Sequence, residues 1–308
     1  MKSSNKAKGT TLAYLAAIGL ALIIGFSFLF VKIALEHSPP ISMLAFRLTL
    51  GFICSLIPVL TGKVKLNLDK KALVTMLPAA LCFPFFAFLF QTLGLQTLPT
   101  AEAGMIQALT PVFTLLLSAV FIKKEKAGAL QVVFTLFSVV GVILMVVMNG
   151  ISAEAFDAVG TVLLLLNVIC GAAYFTLTRK VLARYSWYSF TVVVLGFGAV
   201  AFNIVAASIQ LSQGNIINYF SPLLEPRLLL SLVPLGVGAS FLSNICANYA
   251  TSKLEAPRVA VFNNLAMLVT MLAGVFILGE QLRWFHLAGS ALIIAGVFCA
   301  NFFAARAR

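Results

Sequence analysis

Apolar residues run along this chain in long blocks separated by short polar breaks. The blocks cover approximately 11–35, 41–61, 72–96, 99–122, 127–149, 157–179, 187–210, 228–250, 257–279 and 285–305. About 20 apolar residues make one bilayer-crossing helix, so the pattern predicts an all-α membrane protein with ten transmembrane helices. The narrowest break, Gln96-Thr97-Leu98-Pro99-Thr100, separates the third span from the fourth. Pro99 suits the start of a helix and Glu102 suits its positive end. The apolar run that follows the basic residues 1–9 is too long for a signal peptide, which makes it a retained first span.

Composition removes the soluble alternatives. Of the 308 residues, 61% are hydrophobic and 10% charged, against about 25% charged in a soluble domain. Ten spans leave no room for a water-soluble catalytic domain. Cys54, Cys82, Cys170, Cys246 and Cys299 all sit inside apolar runs without C-x-x-C spacing, and His37 and His286 are the two histidines. Neither a disulfide framework, a metal site nor an imidazole-based active site is expected. No G-x-x-x-x-G-K-[ST] motif is present, so ATP-driven transport is not expected, and no cofactor is implied.

The net charge of +12 reads as a topology signal and not as nucleic-acid binding. With the amino terminus in the cytoplasm, alternating loops put 17 of the 21 Lys and Arg inside, leaving Lys32, Arg47, Arg227 and Arg283 outside. Both termini are then cytoplasmic and the protein is a multi-pass plasma-membrane protein. Trp187 and Trp284 open two spans, as interfacial anchors do.

The two halves correspond at a shift of 155 residues. Phe121-Ile122-Lys123-Lys124-Glu125 closes the fourth span and Gly141 follows in the fifth; Phe276-Ile277-Leu278-Gly279-Glu280 closes the ninth and Gly296 follows in the tenth. A looser match, at a shift near 147, sets Lys32 beside Arg179. Two five-span repeats, 1–150 and 151–308, follow from this. Five is odd, so the second repeat enters the membrane from the other side, the inverted arrangement of many secondary transporters.

Polar residues within the spans are the candidates for a solute path: Gln91 and Gln107 on spans three and four, Asn167 and Tyr174 on six, Asn244 and Asn248 on eight, Asn263 and Asn264 on nine. Asn167 and Tyr174 are seven apart and Asn244 and Asn248 four apart, so each pair shares a helix face. Amides in hydrocarbon also serve as interhelical glue. Phe86 belongs to an aromatic cluster on span three, and a polar and aromatic cavity suits an uncharged or zwitterionic amphipathic solute. Lys32 and Arg47 are charges at membrane depth, which need a partner, a wet cavity or a route to the interface. Glu36, Glu102 and an anionic solute are the candidate partners, with carbonyl bonding as the structural alternative for Arg47. Glu125 and Glu280 oppose the helix dipole and are read as tying consecutive helices together. Pro84, Pro111, Gly25 and Gly171 mark kinks or hinges. Gly289 and Gly296 share a face of span ten and permit close helix contact, within the protein or between two copies, so a homodimer is left open.

Gly25 and Lys32 in span one, Pro40 and Arg47, Thr110-Pro111-Val112 in span four, and Gly279-Glu280 followed by Gly289 and Gly296 resemble the EamA-type drug/metabolite transporters over essentially the whole chain. The resemblance implies a central cavity lined by spans one, three, four, six, eight and nine, with five and ten peripheral. The sequence departs from the family at Ala266, where the second repeat has the counterpart of Pro111, and at Phe134, where a glycine would match Gly289. The first departure predicts a straighter span nine. The expected function is secondary transport of a small, amino-acid-like or otherwise amphipathic metabolite, outward, by alternating access. The alternatives are a phosphorylated-sugar or nucleotide-sugar exchanger, with Lys32, Lys253 and Arg258 against phosphate, and a membrane enzyme or sensor.

Overall fold

The structure is a computed structural model and describes residues 2–66, 68–121, 128–152, 157–212, 219–260, 262–279 and 283–306. Among these the chain is helical throughout, without a strand. The main helices are α1 (Lys2–Leu35), α2 (Pro40–Leu60), α3 (Lys70–Gly94), α4 (Thr100–Phe121), α5 (Ala129–Ser152), α6 (Ala158–Leu182), α7 (Trp187–Ser212), α8 (Pro226–Lys253), α9 (Asn263–Leu278) and α10 (Trp284–Arg306). Each overlaps an expected apolar block. By length and composition α1 to α4 and α6 to α8 are seven candidate membrane spans. In α5, α9 and α10 the apolar stretches are shorter, Val132–Gly141, Leu265–Leu278 and Leu287–Ala300.

Local chemistry sets several helix ends. Pro40 opens α2, where a missing N–H costs nothing. The Asp69 carboxylate caps α3 by accepting from the Ala72 amide at 2.7 Å. Gly279 closes α9 in the left-handed conformation at φ 70°.

Three helices are broken inside. In α3 a widened, π-type turn spans Leu81–Phe86, with Phe83 extended ahead of Pro84. In α8 a second such turn spans Pro234–Leu242. In α4 the ladder breaks at Ala108 and Leu109, because Pro111 has no N–H for the Gln107 carbonyl; the Thr110 hydroxyl bonds that carbonyl instead, at 2.7 Å. Span nine is not straighter for lacking the proline. The one-turn helix Ala256–Ala260 precedes Phe262, and the regular ladder resumes with Ala266 N–H on the Phe262 carbonyl.

Packing follows a symmetric plan. α1 packs on α9 and α8, as α6 packs on α4 and α3; α2 pairs with α7, and α5 with α10. Helix ends sort into two edges. At one, Tyr14 meets Phe262, Tyr188 reaches the Ser55 carbonyl, and Lys180 lies over Phe121. At the other, Phe46 meets Tyr219, and Asp157 lies beside Thr97.

α5 and α10 stand at the periphery and pack chiefly on each other. A Cβ on Gly141 would lie 2.7 Å from the Gly289 carbonyl oxygen, and one on Gly296 would lie 2.8 Å from that of Phe134. The glycine face of span ten is thus used within the protein. The Phe134 ring stacks on Phe303 at 5.2 Å. Gly25 is likewise a close approach, not a hinge: α1 runs through it unbroken, and an added Cβ would meet Val269 at 2.5 Å.

Candidate functional site

A small cavity of about 50 Å³ lies inside the bundle. Its described walls come from α1 (Leu20, Ile24), α3 (Phe83), α4 (Gln107), α6 (Asn167, Gly171, Tyr174, Phe175) and α8 (Ser243, Asn244, Ala247). The helix period explains α6: positions 167, 171, 174 and 175 fall on one face. Gly171 contributes by absence, since an added Cβ would meet nothing within 4 Å. The breaks in α3 and α4 lie at the same level, at Phe83 and just beyond Gln107.

The polar wall is one network. The Tyr174 hydroxyl donates to Asn248 Oδ1 at 2.7 Å and lies 3.2 Å from Asn244 Oδ1. Asn248 Nδ2 donates to Thr191 Oγ1 at 2.8 Å, and Asn244 Nδ2 to the Ser240 carbonyl at 2.7 Å. Asn167 Nδ2 donates to the Ala87 carbonyl at 2.9 Å; its Oδ1 is buried and has no hydrogen-bond partner among the described residues. Phe83 lies 4.9 Å from the Tyr174 ring, so an aromatic surface faces the amides. Among the described residues no Lys, Arg, Asp or Glu lines this cavity.

The structure therefore brings Gln107, Asn167, Tyr174 and Asn244 to one cavity, with Asn248 directly behind. Gln91, Phe86 and Lys32 are not among its described lining residues. Gln91 is buried in α3 away from the cavity lining, and Phe86 turns outward and stacks on Phe90. Lys32 donates to the carbonyls of Leu95 and Leu98 at 2.9 and 3.1 Å. The side chain of Asn263, and Glu125 and Glu280, lie outside what the structure describes. Ser243 and Phe175 are wall residues not singled out from sequence; their helical spacing from Asn167 and Asn244 was the available signal.

Arg47 is 1% exposed, yet its partners are neither the expected acids nor carbonyls. Nε donates to Ser240 Oγ at 3.0 Å, the guanidinium carbon lies 3.9 Å from the Phe88 ring centre, and Nη1 has no partner among the described residues. A serine hydroxyl and a ring face give no charge pattern that a sequence could show. Outside the spans, Asp157 caps α6 by accepting from the amides of Val159 and Gly160 at 3.0 and 3.1 Å. The Thr97 hydroxyl and these amides hold its carboxyl below the usual aspartate range.

A helical bundle of this apolar length around a small uncharged polar cavity defines a multi-pass membrane protein with an internal site. Two stretches, 11–147 and 158–302, each match the model of the EamA-like transporter family. The chain belongs to that family and is a transporter. It is 40% identical to the "Uncharacterized transporter YcxC" of Bacillus subtilis strain 168 over 94% of this chain and 93% of the relative. It is 24% identical to a "Probable amino-acid metabolite efflux pump" of Salmonella typhimurium strain LT2, covering 95% of each. One solved crystal structure superposes with a TM-score of 0.71 at 21% identity, covering 97% of this chain and 99% of that one, a likeness of fold.

Proposed function

We propose that this protein is a secondary carrier that exports a small organic metabolite. In this reading two inverted five-helix repeats, 1–150 and 151–308, give ten crossings with both termini cytoplasmic. They expose the cavity between α1, α3, α4, α6 and α8 to each face in turn. The cavity itself carries the proposal. It is polar, aromatic and central, and at about 50 Å³ it is contracted well below the ~300 Å³ or more of a typical ligand pocket. A carrier needs a site of this kind inside its bundle, one that widens to admit a solute.

Several observations support the repeat. Exchanging each helix for the one five positions on leaves the packing plan unchanged, and both halves match the same family model. Widened turns occur in both α3 and α8, and breaks in α4 and before α9. Pro111 is read here as the residue that keeps α4 bendable beside Gln107. The efflux assignment of one relative supports the outward direction.

The phosphorylated-sugar alternative receives no such support. Lys32 is engaged with carbonyls, and Arg258 pairs with Glu255 at 3.2 Å. The test is reconstitution into proteoliposomes and counterflow of labelled amino acids, amines, sugars and sugar phosphates. Flux of at least one class that falls when Tyr174 or Asn244 is replaced is expected. Folded protein that moves no class sinks the proposal.

A further inference from the structure

We infer that the cavity recognises the amine end of its solute, a hydrogen-bond-donating and non-anionic group, and that Asn167 Oδ1 is the anchor. This rests on the carrier reading above and names the chemistry of the same site.

The wall's buried unmet atom is an acceptor. A carbonyl oxygen can only accept, so the bond to Ala87 forces the Asn167 amide to turn its NH₂ there and leaves Oδ1 as the unmet end. The same logic fixes Asn244, whose NH₂ faces the Ser240 carbonyl. The Tyr174 proton is engaged by Asn248, and the Ser243 proton by the Ala239 carbonyl. What remains free is Asn167 Oδ1, the second lone pair of Asn244 Oδ1 and those of the Ser243 oxygen, together with the second N–H of each of the Asn167 and Asn244 amides. The Gln107 side-chain amide makes no hydrogen bond among the described residues and can turn either end inward.

A wall whose unmet buried atom is an oxygen, and which carries no charge, is selective. A carboxylate or phosphate would find amide N–H groups but no cation among the described lining residues, would leave its charge uncompensated and would not relieve the Asn167 oxygen. An ammonium instead meets acceptors, and the faces of Phe83, Tyr174 and Phe175 attract it further. Asn167 is 5% exposed, so its unmet oxygen is a standing cost that a solute donor relieves as the cavity widens.

The test uses the purified full chain in detergent at constant ionic strength. Three probes share a phenyl ring and chain: 2-phenylethylammonium, 2-phenylethanol and 3-phenylpropanoate. The ammonium is expected to raise the thermal midpoint in a saturable way, the alcohol less, and the propanoate not at all. Asn167→Leu, which removes the acceptor, is expected to abolish the shift. Stabilisation by the propanoate equal to the ammonium, no shift with the ammonium, or an ammonium shift that survives in folded Asn167→Leu overturns the inference. The wild-type comparison decides if this variant does not fold. The two readings fail separately: ammonium binding without counterflow of any solute removes the carrier and leaves this inference, whereas robust flux of an anionic solute without an amine removes this inference and leaves the carrier.

Discussion

Lys32 and Arg179 do the same work at opposite edges of the bundle. Lys32, near the end of α1, donates to the carbonyls of Leu95 and Leu98 where α3 ends; Arg179, near the end of α6, donates to those of Thr251 and Ser252 where α8 ends, at 2.8 and 3.3 Å. Each cation therefore satisfies carbonyls that a helix leaves unpaired, at the negative end of its dipole. α1 thereby fastens α3, and α6 fastens α8.

Replacing either cation by Met should lower the thermal midpoint in detergent, at a cost of about 1–3 kcal/mol for a hydrogen bond to a charged group. Because the sites are far apart, the double variant should lose close to the sum. A double variant no worse than either single one would contradict independent fastening.

The Arg47 and Ser240 pair should behave unsymmetrically. Ser240→Ala strands Nε beside an Nη1 already unmet and should cost about 1–3 kcal/mol. Arg47→Met removes a buried charge and should be close to neutral in stability. In the Arg47→Met background, Ser240→Ala should then cost roughly 0.5 kcal/mol or less, as thermal melts of the four proteins would show.

Two glycines should respond in opposite ways. Gly296→Val would drive a side chain into the Phe134 carbonyl and the Ser138 amide, both 2.8 Å from an added Cβ, and should cost about 1–3 kcal/mol by separating α5 from α10. Gly171→Ala meets nothing within 4 Å and replaces a glycine inside a helix, so the melting midpoint should rise, by about 1 kcal/mol of stability. Its methyl group enters the cavity, so flux in proteoliposomes should fall even as stability improves.

Acid should loosen the start of α6. The folded-state carboxyl of Asp157 titrates below its unfolded value, so its contribution is present above the unfolded value and lost as pH falls through the folded one. The thermal midpoint of the wild type should drop below pH ~4, and Asp157→Asn should reduce that dependence. Equal pH profiles for the two proteins would argue against the cap.

What the sequence determined by itself was the membrane class, the helical segments and two stretches that match one family model. These depend on apolar run length, on where Lys and Arg interrupt it, and on spacings such as Glu125 to Gly141 and Glu280 to Gly296, all of which are local. It also supplied Gln107, Asn167, Tyr174 and Asn244 as a set, because amides and a phenol are costly in hydrocarbon wherever they fall. Tertiary structure alone decided which of these meet. Gln91 and Asn167 look alike in a hydropathy pattern, and only the packing of α6 against α3, α4 and α8 separates a wall residue from a buried one. Lys32 turned to the carbonyls of Leu95 and Leu98, and Arg47 to Ser240 and Phe88, since a charge in a low-dielectric interior takes whatever donor, acceptor or ring the neighbouring helix presents. That choice is made across 63 residues for Lys32 and 193 for Arg47, and no local pattern records it.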